Sequence, residues 1–306
     1  MRLRPAAAGL ALLMSLQAQT PSSPPDNEIF LATLNLSSGS AVVRPVNITN
    51  SPGYDNQPSF SPDGRTVLFT SIRGGSQTDI YRYTISSREV TRVTNTPESE
   101  YSPTVTPDRA HISVIRVEAD GTQRLWQFTS DGQQPQLVLN DIKPVGYHTW
   151  IDAQTLALFV LGQPATLQLA DTRTDKAETL ARNIGRSLQT IPLRGTVSFV
   201  EREPVGDSTA TLHIRELDPK TKAITPLVDA PTGSREADLA WAPDGLLLVA
   251  KDDALYGWRR SDAASGWKRL ADLGPLGLTG VSRIAVSPAG DRIAFVTQAP
   301  PKPAAK

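Results

Sequence analysis

One turn recurs along this chain at a near-constant interval, and it limits the possible folds more than any other feature. Its fullest copy is Phe60-Ser61-Pro62-Asp63-Gly64, followed by the strand-forming run Thr66-Val67-Leu68-Phe69. Pro presets φ, Asp can bond its own backbone, and Gly takes a positive φ at no steric cost. Further copies read Val105-Thr106-Pro107-Asp108, Trp241-Ala242-Pro243-Asp244-Gly245 and Val286-Ser287-Pro288-Ala289-Gly290, with eroded ones at Trp150-Ile151-Asp152 and Ile191-Pro192. The positions equivalent to Phe60 are Val105, Trp150, Ile191, Trp241 and Val286, at spacings of 45, 45, 41, 50 and 45 residues. This is a structural unit that has been multiplied, not an active-site motif.

Each unit carries four short β patterns. In the first they fall near residues 57–61, 66–71, 79–85 and 89–93, and the third alternates apolar and polar at period two. A repeat of this length with four strands is the signature of a propeller blade. The sixth unit has only two strands before the chain ends, whereas two unassigned strands, Ile29–Leu34 and a second beyond the turn at Ser38-Gly39, precede the first unit. Their wording fits the gap: Glu28-Ile29-Phe30-Leu31 parallels Asp79-Ile80-Tyr81-Arg82, and Ile48-Thr49-Asn50-Ser51-Pro52 parallels Val93-Thr94-Asn95-Thr96-Pro97. The expected fold is therefore all-β: a six-bladed β-propeller of four-stranded antiparallel blades, closed by N-terminal strands that complete the C-terminal blade. Closing so long a loop costs roughly 5 kcal/mol. Several ladder hydrogen bonds at about 1 kcal/mol each, with burial of Phe30, Leu31 and Leu34, can offset that cost, and closure removes the strand edges that invite aggregation.

Composition narrows the function classes. The 306 residues carry 31 Lys plus Arg against 31 Asp plus Glu, so no general affinity for nucleic acid or an anionic membrane is expected. No cysteine is present, which removes disulfides, thiolate metal sites and thiol nucleophiles together. Arg2 and Arg4 precede the short apolar run Ala6–Met14, with small residues near Ala18, so residues 1–19 read as a Sec-type signal peptide. Residues 20–27 read as a Pro-rich lead-in, 28–297 as the propeller, and 298–306 as a Pro-rich disordered tail. No other segment has the length to insert into a membrane, and a periplasmic or secreted monomer is the expectation.

The combination of apolar-Ser-Pro-Asp-Gly, a strand, Ile-Tyr and a Thr-rich strand resembles the WD-like repeat of the TolB family, over roughly residues 28–297. The resemblance is plainest at Phe60–Gly64, Trp241–Gly245 and Val286–Gly290, partial at Val105–Asp108 and faint in the third and fourth units. The family implies a bacterial envelope protein that binds a lipoprotein, Pal. Its α/β domain ahead of the propeller has no counterpart in this sequence. The resemblance thus implies fold and location more directly than the partner.

Propellers commonly use the channel mouth, where the innermost strands begin. Aligned on Asp55 and Asn56, that rim should carry Glu100 and Tyr101, Arg186 and Ser187, and Glu236 and Ala237, giving it a mildly acidic character. Tyr54, Tyr147, His148, Arg73, Arg235 and Arg283 complete the expected partner-binding set, since Tyr and Arg anchor interfaces. The expected occupant is a protein or peptide, a cell-envelope lipoprotein among the candidates.

Catalytic signals are weak. Gly-x-Ser-x-Gly is absent, and the Ser-x-x-Lys match at Ser265-Gly266-Trp267-Lys268 falls in a hairpin turn of the fifth unit. His111, His148 and His213 lie in different blades without metal spacing, so neither a metal nor a cofactor is expected. Trp126, Trp150 and Trp241 read as packing between blades. The first expectation is a non-enzymatic exported binding protein. The rival is a hydrolase or lyase acting on sugar or peptide through acidic channel residues, and a third possibility is a passive scaffold.

Overall fold

The recurrent turn forms with the hydrogen bonds its sequence dictates. In the computed structural model, which describes residues 25–36, 41–73, 75, 77–205 and 209–298, the Ser61 hydroxyl donates to Asp63 Oδ1 at 2.6 Å and accepts the Thr66 N–H at 3.0 Å. The same carboxylate accepts the Arg65 N–H at 3.0 Å, and Gly64 sits at φ +68°. Thr106 and Asp108 repeat the arrangement; in the sixth blade, where Ala289 stands at the Asp position, the Ser287 hydroxyl donates to Asp291 instead and accepts the Arg292 N–H. The expected signal segment 1–19, the expected lead-in up to residue 24, the Ser38-Gly39 turn and the expected tail beyond Gln298 lie outside the described residues.

Two strands open the chain, β1 (Asn27–Leu34) and β2 (Val42–Asn47). The first blade follows as β3 (Asp55–Phe60), β4 (Thr66–Ser71), β5 (Asp79–Thr84) and β6 (Glu89–Arg92). The second is β7 (Ser99–Val105), β8 (His111–Val117), β9 (Gln123–Thr129) and β10 (Gln136–Leu137). The third is β11 (Val145–Trp150), β12 (Thr155–Val160), β13 (Thr166–Asp171) and β14 (Lys176–Arg182). The fourth is β15 (Ile184–Ile191), β16 (Thr196–Val205), β17 (Thr209–Leu217) and β18 (Ile224–Asp229). The fifth is β19 (Leu239–Trp241), β20 (Leu247–Lys251), β21 (Ala254–Trp258) and β22 (Lys268–Asp272), and the chain ends on β23 (Arg283–Val286) and β24 (Arg292–Gln298).

The sixth sheet runs in the order β2-β1-β24-β23, so the two ends of the described chain meet inside one blade. Ile29 lies opposite Val296, Phe30 opposite Phe295 and Leu31 opposite Ala294, in an unbroken antiparallel register from Asn27 to Thr33. Six four-stranded sheets thus form the six-bladed propeller expected from the repeat.

The core lies between blades rather than within them. Each of six buried apolar clusters joins two neighbouring sheets. At the seam, Ile29, Ala294 and Val296 of the sixth blade pack with Val67, Phe69 and Tyr81 of the first. Two interfaces carry a tryptophan from an innermost strand. The Trp150 indole donates to Ser113 Oγ at 2.9 Å, and the Trp241 indole to Ser198 Oγ at 2.8 Å, each crossing to the second strand of the preceding blade. Trp241→Phe keeps the ring and leaves Ser198 without that donor. The expected loss is about 1 kcal/mol, read as a lowered urea midpoint at constant m-value.

The Ser-x-x-Lys match falls in the β21–β22 connection, as its turn composition suggested, where a short 3-10 segment (Arg260–Ser265) is inserted. Ser265 Oγ donates to Asp262 at 2.6 Å and Lys268 pairs with the same carboxylate, so the two residues share an acid instead of forming a nucleophile–base pair.

Candidate functional site: the channel mouth

The innermost strands line a central channel enclosing about 640 Å³. Its two ends differ in chemistry because each inner strand runs from the mouth to the Pro-containing turn. At the turn end lie Phe60, Trp150 and Trp241 with Pro62, Pro107, Pro192, Pro243 and Pro288; at the mouth stand Tyr147, Arg186, Asp238 and Arg283.

Arg283 organises the mouth. Its guanidinium donates to the Tyr147 hydroxyl at 2.7 Å, lies 5.0 Å from the centre of that ring, and faces Asp238 at 3.6 Å. Asp238 also accepts the Ile284 N–H at 3.0 Å, and burial raises its carboxyl against the pull of Arg283. Tyr54 is within electrostatic reach of Tyr101, Tyr147, Arg186 and Arg283, and burial pushes its hydroxyl up to about 12. Arg186 reaches only the Ser282 carbonyl, at 3.2 Å, and has no carboxylate within 4 Å among the described residues. The result is a mouth at which Tyr147 is held on Arg283, Tyr54 and Tyr101 lie within electrostatic range, and of the two arginines one is neutralised and one available.

Other residues of the expected set lie elsewhere. Asp55 and Glu100 are 1% and 0% exposed, so they do not make the rim acidic. Asp55 faces Arg73 at 3.3 Å, while Glu100 takes hydroxyl hydrogen bonds from Thr94 (3.1 Å) and Thr96 and lies 3.6 Å from Arg116. Burial raises both carboxyls, to about 6 for Asp55 and about 7 for Glu100. Arg73 is folded over Phe69 and Tyr81, at 5.5 and 5.4 Å, and is part of the first blade's packing. Asn56 is buried, its side-chain oxygen accepting the Gln57 N–H. His148 sits in the channel wall, bonded through Nε2 to Ser113 Oγ at 2.7 Å, and burial lowers it to about 3, so it is neutral at physiological pH. Arg235 and Glu236 are exposed at the rim of the fourth-to-fifth blade connection, Glu236 paired with Arg202 at 2.7 Å.

The sequence reading missed Asp238 and Gln57. Gln57 Oε1 accepts the Ser102 N–H at 2.9 Å, Ser187 Oγ accepts the Leu239 N–H at 2.9 Å, and Asp238 does the same for Ile284. In each case a side chain of one inner strand satisfies a backbone donor of the next. A polar residue one or two places after Asp55, Arg186 and Glu236 was the available signal. Among the described residues no three His, Asp or Glu side chains gather in a metal-holding arrangement.

A closed ring of six antiparallel sheets around a lined channel defines the class: a six-bladed β-propeller. A family profile described as the TolB beta propeller domain matches residues 12–145. Over that stretch, somewhat less than half of the chain, the sequence is similar to the TolB propeller. The TolB protein of the Tol-Pal system from Bordetella pertussis is 61% identical over 28 residues, a stretch that covers 9% of this chain and only 6% of that relative. In fold, the chain is similar to a structure from Agrobacterium tumefaciens described as a candidate TolB, with TM-score 0.67 and 17% identity over 90% of this chain and 99% of the other. It is also similar to an oligogalacturonate lyase in complex with manganese, with TM-score 0.56 and 14% identity over 92% of this chain and 95% of that one.

Proposed function

We propose that this chain is a non-enzymatic, exported TolB-like propeller that binds a protein or peptide partner of the cell envelope at its channel mouth. The observation that carries the reading is the Arg283 guanidinium held on Tyr147 at the mouth, with Arg186 in the same lining and Tyr54 and Tyr101 within electrostatic range. Tyrosine offers large contact area at low entropic cost, and arginine offers a planar set of donors, which is the composition of interface hot spots. Location in the envelope is supported by the N-terminal sequence pattern and by the likeness to TolB.

The test is a pair of substitutions with binding and folding read separately. Tyr101→Ala and Arg186→Ala are each expected to weaken capture of the envelope partner about tenfold or more, with a melting temperature within a few degrees of the parent. Unchanged capture by both variants would mean that the mouth is not the binding face.

The fold likeness to a lyase favours a second reading, a channel enzyme acting on an acidic sugar. The residues it would draw on are dispersed here: Asp55 and Glu100 are turned into blade interfaces, Glu236 is paired with Arg202, and His148 is bonded to Ser113. Turnover of oligogalacturonate by the purified protein supplied with manganese would favour this reading over the first.

A further inference from the structure

Away from the mouth, at the turn end, the interface between the first and second blades contains a pocket of about 430 Å³. Its floor is Leu68, Val105 and Ile112; Arg82, Arg109, His111 and Asp63 stand around it. The repeat explains part of why the space exists. Val105 holds the position of Trp150 and Trp241, and Leu68 that of the serines (Ser113, Ser198) to which those indoles donate. At the second-to-third and fourth-to-fifth interfaces an indole crosses between blades; here a valine faces a leucine and the volume is left open. Val286 and Leu248 make the same valine–leucine pair between the fifth and sixth blades, where the turns come close.

The turn above the pocket adds to the opening. A Cβ placed on Gly290 would come within 2.9 Å of Pro243 Cδ, so the turns of the fifth and sixth blades approach as closely as glycine allows. Arg109 occupies the matching turn position in the second blade at φ +61°, with a real Cβ, and Pro62 is the matching proline. Both line the pocket.

The charges around the pocket select its occupant. Arg109 is exposed, and among the described residues the Arg82 guanidinium donates only to the Ser130 carbonyl. Neither arginine has a carboxylate within 4 Å among the described residues, although Asp131 is close enough to act on Arg82. The acids nearby are engaged: Asp63 with Ser61 Oγ and the Arg65 N–H, and Asp108 with Thr106 Oγ1, the Ala110 N–H and His111.

We propose that this inter-blade pocket is a second binding site, which takes an aromatic side chain, an indole above all, from an acidic peptide. The ring fills the place that Trp150 and Trp241 fill at the sister interfaces, and the flanking carboxylates pair with Arg82 and Arg109 as charge-assisted hydrogen bonds. The site lies at the opposite end of the ring from the mouth, so it does not depend on the function proposed above.

The experiment uses the acetylated, amidated peptide Asp-Glu-Trp-Glu-Asp, with Asp-Glu-Ala-Glu-Asp and Lys-Lys-Trp-Lys-Lys as controls, titrated into the full chain and followed by calorimetry. The acidic tryptophan peptide is expected to bind at least tenfold more tightly than either control. Val105→Trp combined with Leu68→Ser rebuilds the sister interface and is expected to abolish binding while raising the melting temperature. Arg109→Glu, on the surface, is expected to weaken binding at least fivefold without changing the melting temperature, so the proposal is tested even if the double variant folds poorly. Tyr101→Ala is expected to bind the peptide normally. Equal affinity for the acidic and basic tryptophan peptides, undiminished binding by Arg109→Glu, or loss of binding in Tyr101→Ala would each overturn the assignment.

Discussion

Replacing Phe295 with alanine is expected to destabilise the protein by about 3–5 kcal/mol, a large part of the margin by which a domain of this kind is folded. The side chain is fully buried and packs with Leu248 and Leu255 of the fifth blade. Its strand, β24, is paired on both sides, with β23 and with β1. The alanine therefore leaves a cavity beside the sheet in which the two chain ends meet, where relaxation would have to strain the closing register. The ring has no disulfide to hold it shut, since the chain contains no cysteine. Guanidinium unfolding measures the effect. A loss below 1 kcal/mol would show that the seam contributes little to holding the ring closed.

The second large effect is a pH dependence centred on Glu100. Its folded value, raised by burial to about 7, lies above the 4.5 of an unperturbed glutamate. The folded state therefore binds the proton more tightly than the unfolded chain, and protonation stabilises it. This contribution is fully present below pH 4.5 and is lost as pH rises through 7. At about 1.36 kcal/mol per unit, the whole shift amounts to about 3 kcal/mol. Asp55 acts in the same direction, from 3.8 to about 6. His148, buried and lowered to about 3, opposes both below pH 6.5, because there the unfolded chain takes up the proton first. The informative quantity is thus the difference between the parent and Glu100→Gln, whose amide imitates the protonated acid. The variant is expected to equal or exceed the parent at pH 8 and to lose that advantage by pH 5. Thermal melts at the two pH values decide it, and parallel pH profiles for the two proteins would refute the burial argument.

Much of the architecture was legible because turn chemistry is local. Ser61, Pro62, Asp63 and Gly64 make their hydrogen bonds among themselves and with the next few residues, so the wording alone locates the hairpin. The parallel between Glu28–Leu31 and Asp79–Arg82 was informative for the same reason. Thr49 accepts the Ile29 N–H just as Thr94 accepts the Ile80 N–H, and the shared wording reflects a shared hydrogen bond.

The mouth was legible only in part. The sequence by itself determined the blade count, the four-stranded sheets and the joining of the two ends, since each follows from period-two alternation and short-range turns. Only the tertiary structure decided which side chains of the innermost strands face the channel. Register shifts at Asn56–Ser59, Tyr101–Thr104, Val145–Tyr147 and Ile184–Leu188 change the phase of those strands, and a slip of one residue sends a side chain to the other face. That change of phase put Asp55 and Glu100 between blades, against Arg73 and Arg116. Asp238 stands in the channel wall beside Arg283, which comes from a different blade and therefore has no sequence neighbour to betray it.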